Sequence, residues 1–317
     1  MRTELSSQAL EYGQVVRQAL QSAGGDALTR SAATSPAARA DIATVLAGLG
    51  AWELDPRSGT DELEAAAAAC HAAGWSALPY PVAERIARPA GLDGDALAVV
   101  SASRPAVPAA WLELRLAAVT LDGRRWLAAA APAANGLAGP GGQASLISDL
   151  ILTRADDDGA GDVSLSLVLS TWTLLGMLDR AMALTREYVL WREQFGQPLA
   201  SFQGVQFQLT DAEVERAGAE ELAKYALWRV QERHPDAVTD ALALRLAALE
   251  AAEVVFRVAH QLHGAIGFCD ETTLSWLSRH SQPLRRLPFG LSATGDQLTR
   301  RIGRRGLAGA FSAAGQP

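Results

Sequence analysis

Cysteine is almost missing from this chain: Cys70 and Cys269 are the only two in 317 residues, far apart in sequence, so no disulfide framework holds it together. A reducing, cytoplasmic setting is expected. A surplus of positive charge is missing as well. Lys and Arg number 28 against 35 Asp and Glu, a formal net charge of −7, which argues against binding to a nucleic-acid backbone. Long apolar runs are missing too, because Ala-rich stretches are broken by Arg, Glu or Asp before the ~18 to 20 residues that span a bilayer. The start, Met1-Arg2-Thr3-Glu4, lacks the apolar core of a signal peptide. Metal-ligand patterns fail for want of members. His260, His263 and Cys269 have no fourth partner at a sensible spacing, and Asp156 to Asp162 lacks the spaced oxygens and closing Glu of a calcium loop.

What is present describes a folded protein. Hydrophobic residues make up 49%, charged residues 20%, and mean hydropathy is +0.06, which excludes a disordered or collagen-like chain. The length suits two or three packed domains. From Leu5 to Arg88, Ala, Leu and Val recur every three or four residues between Pro36, Pro56, Pro79 and Pro81, the pattern of several short helices. Asp61 and Glu62 mark a helix start before the apolar run Ala65 to Ala69.

From Leu92 to Arg154 the pattern becomes short apolar runs, Leu97 to Val100 and Leu114 to Leu121, punctuated by Asp122-Gly123 and Gly139 to Gly142. This predicts a small β region of about four to six strands. Asp156 to Asp162 is expected to form an exposed acidic linker. Long helices then return, with Leu165, Leu169, Trp172, Leu175 and Leu178 on one stripe and Leu242, Leu246, Leu249 and Phe256 on another. The expected architecture is mainly α with a small β domain: a helical domain over 1–91, a reduced β region and linker over 92–162, and a helical bundle over 163–317.

Two segments carry the specific signal. Tyr188, Arg192, Phe195, Gly196, Pro198 and Gln203 follow the pattern Tyr-x-x-x-Arg-x-x-Phe-Gly-x-Pro-x-x-x-x-Gln, and Gln261-Leu262-His263-Gly264-Ala265-Ile266-Gly267-Phe268 forms a Gln-x-x-Gly turn. Taken singly, Arg192 is a solvated cation at a helix end, Phe195 a core aromatic, and Gly264 a helix terminator. Taken together and in this order, they resemble the acyl-CoA dehydrogenase family. The helix, β, helix layout extends the resemblance over nearly the whole chain, implying an N-terminal helical domain, a middle β domain and a C-terminal four-helix bundle.

A flavin dinucleotide calls for a fixed cation, an aromatic wall and close backbone approach, and these residue types supply them. The resemblance implies FAD contacts by Arg192, Phe195 and Gln203 near the adenylate, and by Gln261, His263, Gly264 and Ala265 around the pyrophosphate of a flavin in a neighbouring subunit. Ala265 stands where the family has a second glycine, and His263 is expected to pack or hydrogen-bond beside the cofactor.

The family's reaction needs a carboxylate to remove the proton next to the thioester. Its usual position falls on Pro288 or Ser292 according to the anchor chosen, and its other position on Ser164 to Leu167; none is an acid. Glu271 is the weak catalytic candidate that remains, with Asp296 beyond it. The Thr/Ser-rich segment that wraps the isoalloxazine is unrecognisable.

Retained dinucleotide motifs without a base resemble the shortened subunits of heteromeric, α2β2 acyl-CoA dehydrogenases of steroid or unusual acyl-CoA catabolism. There a full-length partner supplies base and flavin pocket, and electron-transfer flavoprotein is the implied acceptor. Two other readings stay open: a homomeric enzyme with a relocated base, and a flavin-free scaffold of the same fold.

Overall fold

Capping residues and prolines divide the N-terminal third into helices. In the computed structural model, which describes residues 4–132 and 146–305, Ser6 caps α1 (Ser7–Ser22) by accepting from the Ala9 N–H. A two-glycine turn leads into α2 (Gly25–Ala32). Ser35 caps α3 (Pro36–Ala47), where Pro36 sits in the first turn and gives up no needed donor. Asp61 and Glu62 open α4 (Thr60–Trp75) at the positive end of its dipole, and α5 (Val82–Ile86) is a single short turn after Pro81.

Five strands follow: β1 (Ala96–Val99), β2 (Ala106–Pro108), β3 (Leu116–Val119), β4 (Arg125–Ala130) and β5 (Ile147–Asp156). They form one sheet in the order β1-β3-β4-β5-β2, parallel only between β1 and β3. The Gly139 to Gly142 punctuation lies outside the described residues. The long helices are α6 (Ala160–Trp191), α7 (Gln203–Gln231) and α8 (Ala237–His263), joined by α9 (Thr273–Arg286) and α10 (Leu291–Arg305).

Helix α6 is the centre of the molecule, packed against α4, α7 and α8. It is also the one described helix long and apolar enough to cross a membrane, contrary to the sequence reading that no window approaches this; 83% of its apolar window is buried inside the protein. Its closeness to α4 depends on two glycines. A Cβ on Gly176 would lie 2.0 Å from the His71 carbonyl oxygen, and one on Gly74 would lie 1.8 Å from that of Thr173. Both obstacles are backbone and cannot rotate away. Gly176→Ala is expected to cost about 1 to 3 kcal/mol by forcing the helices apart, measurable as a fall in denaturation midpoint.

The acidic segment needs correcting. Asp157 and Asp158 are exposed, but Asp162 belongs to the first turn of α6 and is 3% exposed. It accepts from Arg57 Nη2 at 2.5 Å and Arg125 Nε at 2.7 Å. A buried carboxylate bridging two guanidinium groups ties the loop before α4, strand β4 and the bundle to one point.

Candidate functional site

Both sequence motifs lie at the same end of the bundle, because α6 and α8 run in one direction and α7 returns between them. Helix α6 stops at Trp191, with Arg192 as its extended C-terminal cap. The next residues form a minimal hairpin, β6 (Glu193–Gln194) and β7 (Gln197–Pro198), turned by Phe195 and Gly196 at φ of 56° and 80°. Two successive positive φ values are what a two-residue hairpin requires; glycine adopts them freely, whereas phenylalanine is strained there. Phe195 is 92% exposed, so burial does not offset that strain and its reading as a core aromatic fails. Phe202 stands edge-on to it at 6.3 Å.

Helix α8 ends at Gly264, whose φ of 63° and ψ of −145° suit only glycine. A Cβ there would meet nothing within 4 Å, so backbone conformation, not crowding within this chain, requires glycine. Tyr188 stacks on His263 with ring centroids 4.3 Å apart and joins the two motifs. The His263 Nδ1 lies 2.8 Å from the Ala259 carbonyl, and burial holds the imidazole below its ordinary pKa. A neutral ring therefore donates to that carbonyl, and His263 supports the turn from beneath.

Arg192, Gln203, Gln261, Gly264 and Ala265 are exposed, and no described residue pairs with the Arg192 guanidinium. Trp191, Phe207 and Phe268 add exposed aromatic surface at 63%, 60% and 68%. A free cation, an aromatic wall and an open glycine turn on one surface suit the adenylate and pyrophosphate side of a dinucleotide.

The expected base positions converge elsewhere. Leu287 and Pro288, in the turn between α9 and α10, and Ser166, in the second turn of α6, line one cavity of about 30 Å³. Arg245 of α8 lines it too, with Nη2 donating to the carbonyls of Leu284 at 3.0 Å, Leu287 at 2.5 Å and Phe289 at 2.8 Å. Thr294 Oγ1 also donates to the Phe289 carbonyl, at 3.2 Å, so the turn is pinned from both sides. Ser292 and Asp296 are exposed on α10 and do not border the cavity. Glu271 is exposed beyond the glycine turn, where its backbone carbonyl accepts from Arg30 Nη2.

The sequence reading missed two residues at this cavity. Glu84 of α5 is buried against it, and desolvation pushes its carboxyl up to about 7. Its only signal in the sequence is an apolar setting of Val82, Ala83 and Ile86. Arg245 was more visible, as a lone cation between Leu244 and Leu246 on an apolar stripe.

A third feature is an open cleft of about 1050 Å³ where the loop before α4, the start of α6 and the α7–α8 turn meet. Leu63, Leu165 and Val238 give it an apolar floor, and Arg57, Arg233 and His234 a basic rim.

Residues 168–291, which contain both motifs and the α9 wall of the cavity, match the acyl-CoA dehydrogenase C-terminal domain. That stretch, under half of the chain, is thus similar to the C-terminal domain of acyl-CoA dehydrogenases. Acyl-CoA dehydrogenase FadE27 of Mycobacterium tuberculosis is 34% identical over 155 residues, 44% of this chain and 39% of that protein. The matched segment thus spans well under half of that curated relative.

Similarity of fold is wider. The ChsE4-ChsE5 complex of M. tuberculosis superposes with a TM-score of 0.74 at 19% identity, covering 97% of this chain and 100% of the chain compared. The Tcur3481-Tcur3483 steroid acyl-CoA dehydrogenase gives 0.73 at 20% identity, covering 95% and 99%. These likenesses show the acyl-CoA dehydrogenase fold over nearly the whole chain, with the small sheet between the helical parts.

Proposed function

We propose that this chain is a non-catalytic, FAD-contacting subunit of a heteromeric acyl-CoA dehydrogenase. A full-length homologous chain supplies the base, the flavin pocket and the acyl site, in an α2β2 assembly with electron-transfer flavoprotein as acceptor. The observation that carries this reading is the cavity at the expected base positions: no carboxylate stands at either position, and about 30 Å³ does not admit an acyl thioester.

Arg192 would hold the partner's dinucleotide through charge-assisted bonds to the pyrophosphate, Phe195 would wall the adenylate, and Gln203 would make a polar contact nearby. The turn from Gln261 to Ala265 would approach the pyrophosphate backbone-first, with His263 holding its base. FAD, when bound, supplies the hydride acceptor for forming an α,β double bond in an acyl-CoA thioester. This chain's residues bind and orient, and they move no proton. The exposed aromatic surface of Trp191, Phe207 and Phe268 supports docking of the partner on the same face. The names of the ChsE4-ChsE5 complex and the Tcur3481-Tcur3483 steroid enzyme support a paired assembly and a bulky acyl substrate.

The purified chain alone is expected to reduce no electron acceptor with any acyl-CoA, whereas its complex with the product of a neighbouring full-length gene turns over and carries flavin. Glu271→Gln should leave that turnover unchanged. Activity of the single chain that disappears in Glu271→Gln would establish a homomeric enzyme instead, and a colourless, inactive complex would establish a scaffold.

A further inference from the structure

The turn that ends α8 has little burial to hold it. Gly264, Ala265, Ile266 and Phe268 are exposed, and of the five residues from Gly264 to Phe268 only Gly267 is buried. Phe268 leans on α8 by stacking on His260, with ring centroids 4.3 Å apart. The backbone of the turn is shaped instead by the segment that follows it. Thr272 Oγ1 lies 3.1 Å from the Ile266 carbonyl oxygen and 2.9 Å from that of Cys269, and can donate to either. The Cys269 N–H donates to the Ile266 carbonyl at 3.1 Å, and Ser275 Oγ donates to that of Phe268 at 3.3 Å.

That segment is gripped from the other end of the sequence. Asp26 and Arg30 stand one turn apart on α2 and so share a face. Asp26 Oδ2 accepts from Thr273 Oγ1 at 2.6 Å, a short bond to a charged acceptor at the first residue of α9, where the helix dipole also favours a carboxylate. Arg30 Nη2 donates to the Glu271 carbonyl at 3.3 Å, and its guanidinium lies over the Trp276 ring, 5.7 Å from the centroid. Helix α2 is itself anchored. Thr29, buried, donates through Oγ1 to the Ser76 carbonyl at the end of α4 at 3.0 Å, and Arg180 of α6 approaches Asp26 Oδ2 at 3.9 Å.

We propose that Asp26 is a positioning residue for the cofactor-facing turn: it clamps Thr273, and through the adjoining Thr272 and Cys269 it fixes the Ile266 backbone next to Gly264 and Ala265. The inference rests on the proposed function, in which this turn approaches the pyrophosphate of the partner's flavin. It gives the N-terminal helices a part in the dinucleotide site, exerted through the turn rather than on the cofactor. Without the clamp the turn is competent for only a fraction of the time, and the apparent dissociation constant for FAD rises in inverse proportion to that fraction.

The test measures FAD occupancy across a dilution series in the complex of this chain with its full-length partner, for wild type, Asp26→Ala, Thr273→Val, the double variant and Asp26→Asn. Each of the first two substitutions should raise the FAD concentration at half-occupancy about three- to tenfold, with kcat at saturating FAD unchanged. The double variant should be no worse than either single one, because both remove the same bond. Asp26→Asn should recover most of the loss, since its amide oxygen still accepts from the Thr273 hydroxyl. Arg192→Ala serves as the control for the cofactor role of this surface. Unchanged retention in Asp26→Ala and Thr273→Val while Arg192→Ala releases flavin would overturn the clamp alone, and unchanged retention in all three would overturn the cofactor role and the clamp with it. A lowered denaturation midpoint with flavin retention unmoved would mean that α2 only docks the N-terminal helices. Additive losses in the double variant would mean that the two residues act separately, and either result sinks the proposal.

Discussion

Arg192→Ala is expected to weaken flavin retention by the assembled enzyme ten- to a hundredfold while leaving the fold of this chain nearly untouched. A charge-assisted bond to a pyrophosphate is worth about 1.5 to 3 kcal/mol, and that interaction is what the substitution removes, since the side chain is exposed and pairs with none of the described residues. Arg192→Lys should restore only part of the loss, because an ammonium group is a point charge without the planar fork. A cation that merely decorated a helix end would behave differently, changing stability by a few tenths of a kcal/mol and flavin content not at all. The measurement is flavin per complex across a FAD dilution series with wild-type and substituted chains co-purified with the partner. Equal occupancy across the series would end the cofactor role of Arg192 and move the chain to a scaffold.

Glu84→Gln is expected to raise stability by roughly 3 kcal/mol at pH 8 and by less than about 1 kcal/mol at pH 5, on the scale of 1.36 kcal/mol per pKa unit. The sign follows from proton binding. Burial pushes the folded-state carboxyl from 4.5 to about 7, so between those values the folded chain holds a proton that the unfolded chain has released. Stability from this group is therefore full at low pH and falls as pH rises through that window. Glutamine keeps the shape without the charge, which removes the penalty above neutral pH. Urea denaturation of both chains at the two pH values reads the difference directly, and any local cost of the amide that does not vary with pH cancels in the comparison. A pH-independent difference would mean that the carboxyl reaches solvent or a cation.

How much of this was legible in the sequence varied with the kind of interaction involved. Period and punctuation showed the long helices, because a stripe such as Leu165, Leu169, Trp172 and Leu175 must face a core wherever that core comes from. The Arg192 to Gln203 and Gln261 to Phe268 motifs were legible because hairpin and helix-stop geometry is local, and Gly196 and Gly264 adopt the positive φ values such turns demand. Exposure of Phe195 was not legible, since an aromatic residue taken singly is more often buried. The exposed reading of Asp162 failed for a related reason: a run of acids looks like a solvated linker until Arg57 and Arg125 arrive from other parts of the chain.

The sequence by itself determined the succession of helical and β segments, the two glycine-containing turns and the absence of an acid at either expected base position, all of which depend on residues close together in the chain. Only the tertiary structure decided that those two positions border one cavity, that Arg245 and Glu84 line it, and that α4 and α6 touch through Gly74 and Gly176. Desolvation and close backbone approach are properties of what packs against a residue from elsewhere in the chain, and nothing in the local pattern around Glu84, Arg245 or Gly176 encodes those neighbours.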